Sequence, residues 1–280
     1  MRFSGYLRAV RVALMPLLLL LLLSPGAVRA GGATPPALAP AASAPLLPWR
    51  LVESRPHDPE SFTQGLLMDG GVLYESSGRY GRSALRALRP ADGAVTRRFN
   101  LPPDLFAEGL ALADGALVQL TWKAGRALRY RAQDFQPLPG WRYDGEGWGL
   151  THDGAHFVMS DGSARLVWRR SGDFRPVRAV EVRLPDGRVL PRLNELEWIG
   201  GYIWANIWQT PLVAVIRPAG GQVVALLDLS ALARQERHGP DAVLNGIAWD
   251  AARRQLWVTG KNWRFYYLLA VDMTGLYAAE

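Results

Sequence analysis

The chain has 280 residues, 49% of them apolar and 20% charged, a globular composition with enough length for one large domain. It contains no cysteine, which excludes disulfides, thiolate metal sites and a cysteine nucleophile. The net charge of +7 includes no basic run interleaved with aromatics, so no nucleic-acid partner is expected.

Residues 1–30 read as a removable export signal. Arg2, Arg8 and Arg11 precede the apolar run Val12 to Leu23, and Ser24-Pro25-Gly26 and Val28-Arg29-Ala30 follow, with a small residue before the cut. The run is too short to span a bilayer, so cleavage after Ala30 is expected rather than a retained anchor. Losing Arg2, Arg8, Arg11 and Arg29 lowers the net charge to +3. An exported protein, periplasmic or extracellular, monomeric and without stable membrane association, is the expectation. Residues 31–48 form a Pro/Ala-rich linker that should not pack, and the folded domain is expected over 49–280.

Beyond the linker the chain repeats itself. Five segments align, starting at Gln64, Glu108, Trp148, Asn194 and Asn245, at spacings of 40 to 51 residues. Each carries an aliphatic residue, a short alternating run, a turn and a second apolar run, and four have glycine at the second position. That period suits a four-stranded blade, so the spacing predicts an all-β, five-bladed β-propeller of four-stranded antiparallel blades. The strand from Arg50 to Ser54 is expected to complete the last blade. Helical periodicity is brief, with Asp228 to Glu236 the best candidate. A two-sheet sandwich is the alternative.

In a propeller the first strand of each blade lines the axis, so Gln64, Glu108, Trp148, Asn194 and Asn245 should surround one opening. The second runs should return Glu75, Ser76, Trp122, Asp161, Trp208 and Lys261 towards the same face. Such residues also fill channels without any activity, and indoles pack between blades, the role expected for Trp204, Trp249 and Trp257. The four histidines form no recognisable metal set, and His152 and His156 read as solvated turn neighbours. The Gly145-Glu146-Gly147-Trp148-Gly149 stretch looks like a phosphate loop but opens a strand, which makes that signal weak.

Several longer motifs carry more. Ser61-Phe62-Thr63-Gln64-Gly65-Leu66, Tyr74-Glu75-Ser76-Ser77-Gly78, Leu193-Asn194-Glu195-Leu196-Glu197, Trp204-Ala205-Asn206-Ile207-Trp208, Leu244-Asn245-Gly246-Ile247 and Val258-Thr259-Gly260-Lys261 closely resemble the plant and bacterial glutaminyl cyclases. The resemblance covers roughly Leu51 to Leu269. It implies a secreted five-bladed propeller that converts the N-terminal glutamine of peptides or proteins to pyroglutamate with loss of ammonia, using no metal or other cofactor. Carried over by position, the resemblance assigns the catalytic glutamate to Glu108. It assigns the pocket to Phe62, Gln64, Phe106, Trp122, Trp148, Asn194, Trp208 and Lys261. Ala107 and Leu120-Thr121 depart from the family pattern beside Glu108.

The chemistry can be stated from the residue types. One carboxylate can take a proton from the α-amine and return it to the leaving ammonia. Lys261, with the amide of Asn194 or Gln64, can supply donors to the tetrahedral oxyanion. Three other classes compete: a propeller that binds peptide or carbohydrate without turnover, a calcium-dependent lactonase, and a glycosidase. The last needs a second carboxylate, for which Asp161 or Glu195 can be nominated.

Overall fold

Period-two apolar alternation between Asp and Gly turns dictates short antiparallel strands, and such strands fill most of the chain from Trp49 onward. The computed structural model describes residue 1 and residues 44–277, so the expected leader and most of the expected linker lie outside the described residues.

After β1 (Trp49–Pro56), blade one contains β2 (Thr63–Asp69), β3 (Val72–Ser77), β4 (Ala84–Leu88) and β5 (Val95–Asn100). Blade two follows with β6 (Ala107–Ala113), β7 (Ala116–Thr121), β8 (Arg126–Arg131) and β9 (Pro137–Arg142). Blade three is β10 (Leu150–His152), β11 (His156–Ser160), β12 (Arg165–Arg170) and β13 (Pro176–Glu181). Blade four is β14 (Leu193–Ile199), β15 (Tyr202–Ile207), β16 (Leu212–Ile216) and β17 (Val223–Asp228), followed by the short helix α1 (Ser230–Gln235). Blade five is β18 (Leu244–Asp250), β19 (Gln255–Gly260) and β20 (Phe265–Val271), completed on its outer side by β1. The chain is therefore a five-bladed β-propeller of four-stranded antiparallel blades, as the repeat predicts.

The inner strands β2, β6, β10, β14 and β18 touch in a closed ring. The apolar cores are the layers between blades rather than one central mass. Trp204 of blade four packs with Ile247 and Val258 of blade five, and Trp257 of blade five packs with Leu66 and Leu73 of blade one. Burial falls outward: β2 and β6 are mostly buried, whereas β5, β9 and β13 are largely exposed. β17 breaks this pattern, with the apolar sequence VVALLD mostly buried, because other parts of the chain cover it. Leu46 bridges Leu226 in parallel, Leu47 N–H donates to the Leu226 carbonyl at 2.8 Å, and Leu47 is buried. The chain thus joins the fold a few residues before Trp49, within the stretch expected to stay unpacked. Leu229 and Leu232, at and within α1, enter the same core.

One irregularity recurs. The pairing of the first two strands slips between Thr63 and Gly65, Ala107 and Leu110, Leu193 and Leu196, and Leu244 and Ile247. Each slip falls on the residues where the repeat begins. A bulge leaves a residue out of the ladder and re-aims its side chain, so the fold turns Gln64, Glu108, Asn194 and Asn245 away from the regular pleat. Blade three reaches the same place differently, with Trp148 lying just before β10 and its N–H bonded to the Ser160 carbonyl at 3.0 Å. The glycines that follow let neighbouring strands approach: a Cβ on Gly149 would lie 1.9 Å from the Asn194 carbonyl oxygen.

Candidate active site

In an antiparallel blade the start of the first strand and the end of the second lie side by side. Phe62, Gln64, Phe106, Glu108, Trp148 and Asn194 come from the first position, and Trp122, Trp208 and Lys261 from the second. These nine residues, contributed by all five blades, line one cavity of about 250 Å³. All nine positions nominated from the sequence meet there. Sites for drug-sized ligands span roughly 300–1,000 Å³, so this cavity suits a single side chain.

Glu108 is buried and is the one acid among the nine. Gln64 Nε2 donates to its Oε1 at 2.8 Å, and Ser76 Oγ donates to its backbone carbonyl. Burial is the largest influence on the Glu108 carboxyl and pushes it well above the usual carboxylate range. Lys261 opposes that shift, the Glu146 charge adds to it, and the Gln64 bond opposes it. Burial likewise pushes the Lys261 ammonium down to about 8, against the pull of Glu108 and Asp241. The Lys261 Nζ lies 4.7 Å from the centroid of the Phe62 ring.

The amides have distinct surroundings. Gln64 is engaged at both ends, since its Oε1 accepts from Asn245 Nδ2 at 3.3 Å while its nitrogen serves Glu108. That arrangement commits one of the two Gln64 N–H donors to Glu108 and leaves the second. Asn194 is buried in the cavity wall, and its Oδ1 has no hydrogen-bond partner among the described residues. Asn245 lies behind the wall, fully buried, and also donates to the Thr63 carbonyl at 2.9 Å.

Four sequence expectations besides Asn245 need correction: Ser76 is buried against the Glu108 backbone carbonyl instead of lining the cavity, and three carboxylates lie elsewhere. Asp161 does not reach the cavity; it is exposed and accepts from the Ser163 N–H at 3.0 Å within its own turn. Glu195 is not a second site carboxylate, because its two oxygens accept the backbone N–H groups of Leu66 at 3.2 Å and Ile247 at 2.9 Å. Glu75 does not face the opening either. It is buried behind residues 61–63, accepting from Ser61 Oγ at 2.7 Å and Thr63 Oγ1 at 2.6 Å, with His57 Nε2 at 3.0 Å. Its other oxygen faces the Arg86 guanidinium at 3.7 Å. This network fixes the segment that carries Phe62 and Gln64. It went unread because its partners are separated in sequence and belong to no repeat position.

The family follows from comparison with known proteins. The family model described as glutamine cyclotransferase matches residues 23–271. The chain belongs to that family. The glutaminyl-peptide cyclotransferase of Arabidopsis thaliana is 36% identical over 222 residues, covering 78% of this chain and 69% of that protein. The crystal structure of the glutaminyl cyclase of Myxococcus xanthus superposes with a TM-score of 0.77 at 35% identity, covering 82% of this chain and 98% of that one. A glutamine cyclotransferase must bring one amine against one carboxamide carbon, and a small cavity with a lone acid, a lone cation and an aromatic wall has the parts for that.

Proposed function

We propose that the protein is a glutaminyl-peptide cyclotransferase that closes the N-terminal glutamine of peptides or proteins to pyroglutamate and releases ammonia, with Glu108 as the only proton shuttle. The observation that carries this reading is the position of Glu108, buried in a cavity sized for one side chain and facing the same space as Lys261.

The α-amine of a peptide has a pKa of roughly 7.7–8.0, so a useful fraction is free base near neutrality. As its nitrogen bonds to the γ-carboxamide carbon, ionised Glu108 takes one amine proton and the carbonyl electrons move onto oxygen. Lys261 offsets that developing charge. Glu108 then gives the proton to the departing nitrogen, the carbon–nitrogen bond breaks, ammonia leaves and the carbonyl re-forms as a lactam. Glu108 ends ionised, as it began. Asn194, which lines the same cavity, is proposed to hydrogen-bond the substrate and so orient its amine or its carboxamide. Trp122, Trp148 and Trp208 enclose the aliphatic stem and keep water out. Because the attack is intramolecular, holding the side chain folded back is itself worth several kcal/mol.

The lining contains no imidazole or thiolate, and among the described residues no cluster of three or more His, Cys, Asp or Glu is placed to hold a metal ion. The proposed route draws on Glu108 and Lys261 as its charged groups, and both are in the lining. The basic, apolar leader supports export to the periplasm or the exterior, and the protein is proposed to act as a monomer. The test is direct: the purified protein and a Gln-initiated dipeptide should yield ammonia and the cyclised peptide in equal amounts. A protein that binds the dipeptide without releasing ammonia would leave only the binding role.

A further inference from the structure

The cavity's aromatic wall falls into two groups. Phe62 meets Phe106 at 6.1 Å between ring centroids and Phe106 meets Trp122 at 5.6 Å, while Trp148 meets Trp208 edge-on at 5.4 Å. Between Trp122 and Trp148 stands a residue outside the nine. Glu146 Oε2 accepts the Trp122 indole N–H at 2.7 Å and the Trp148 indole N–H at 3.0 Å.

We infer that Glu146 is a positioning residue for glutamine cyclisation, a carboxylate clamp that locks Trp122 of blade two and Trp148 of blade three at the angle that encloses the substrate side chain. The inference rests on the reaction proposed above.

Three further observations support it. The segment bearing Glu146 is itself fixed: Gly147 N–H donates to the Trp122 carbonyl at 3.0 Å, and a Cβ on Gly147 would stand 2.2 Å from the Tyr143 hydroxyl. That hydroxyl in turn bonds the Thr121 backbone, next to Trp122. Lys123 stacks on the Trp122 ring at 4.0 Å and lies 3.7 Å from Glu146 Oε1, so the second oxygen is also engaged. Burial would raise the Glu146 carboxyl, but the indole donors and Lys123 hold it below its ordinary value, which keeps it ionised near neutrality. Indole N–H groups beside an apolar pocket need an acceptor, and one charged oxygen serving two of them is stronger than two neutral contacts. The glycines around Glu146, which resemble a phosphate loop in the sequence, have backbone reasons of this kind.

The experiment compares wild type, Glu146→Ala and Glu146→Gln for ammonia release from a Gln-initiated dipeptide and for near-ultraviolet circular dichroism. Glu146→Ala should raise KM tenfold or more with a smaller change in kcat, and should weaken the indole dichroism. Glu146→Gln retains an oxygen able to accept both N–H groups, so KM should stay within about twofold of wild type and the dichroism should persist. Wild-type KM and dichroism in Glu146→Ala would overturn the clamp, as would equal damage in both variants. If Glu146→Ala does not fold, Glu146→Asp replaces it: its shorter arm cannot serve both indoles, and KM should rise severalfold, whereas an unchanged KM would overturn the clamp. Absence of ammonia from wild type would instead defeat the proposed reaction, and the dichroism would still decide the clamp.

Discussion

Gln64 donates its side-chain amide to the Glu108 carboxylate at 2.8 Å across the boundary between blades one and two. The bond occupies one carboxylate oxygen and leaves the other for a bound substrate. It also makes a conservative test possible, because a glutamine at position 108 can accept the same bond.

Glu108→Gln should therefore fold normally and lose turnover by about 10²–10⁴, the range for a general acid and base. Ammonia release together with a thermal melt measures both. Turnover close to wild type would remove Glu108 from the proton path.

The pH profile follows from two shifted groups. Glu108 must be ionised to accept a proton, and its carboxyl sits well above the usual range, so kcat/KM should fall on acidification well before an exposed glutamate would titrate. Lys261 is charged below about 8 and neutral above it, so kcat/KM should also fall through about pH 8 on the alkaline side. Lys261→Arg keeps the charge at all working pH values and should move the alkaline limb upward. An alkaline limb that stays in place in that variant would assign it to another group.

Glu75 makes a separate prediction about stability. Burial alone would raise its carboxyl, but His57, Arg86 and Thr63 hold it at about 2. A carboxyl depressed in the folded state stabilises the protein above the ordinary carboxylate pKa and loses that contribution as pH falls towards 2. Wild-type melting temperature should therefore decline between about pH 4.5 and pH 2. Glu75→Gln should cost about 3–5 kcal/mol at pH 7, the scale for breaking a buried charge pair, and should flatten that decline. Melts across this range decide it; parallel curves for the two proteins would exclude Glu75 as the source.

Chelation gives the fourth test. Prolonged treatment with a strong chelator should leave the rate of ammonia release unchanged, and added zinc should not raise it. Loss of activity that zinc restores would contradict the metal-independent route.

The sequence carried the fold and seven of the nine cavity residues because a repeat converts position in the chain into position in space, while Phe62 and Phe106 came from the family resemblance alone. Gln64, Glu108, Trp148 and Asn194 are corresponding letters, and corresponding letters of a propeller share one mouth. Asn245 shows where the rule weakens: it occupies the matching letter but lies one layer deeper, donating to Gln64. Glu146 and His57 were illegible, and Glu75 was misplaced at the opening, for a different reason. Glu146 bonds Trp122 and Trp148, and the His57–Glu75 pair holds Ser61 and Thr63 on either side of Phe62, through side-chain bonds whose partners no period specifies. Asp161 misled because a hairpin end can turn its side chain back onto its own loop. Leu47 misled because Pro and Ala around it signal a linker, while burial under β17 depends on an apolar strand some 180 residues away.

The seam between β1 and β20 has a consequence for how the enzyme is made. β1 is the first strand of the propeller to leave the ribosome, yet its sole ladder neighbour is the last strand. It waits, edge unpaired, through the synthesis of everything between, the slow kind of closure that long sequence separation imposes. Lys261 lies just before β20, so the pocket receives its cation only as the circle shuts. A chain that stops before Lys261 lacks the last of the nine cavity residues and should release no ammonia, so that turnover reports a finished ring.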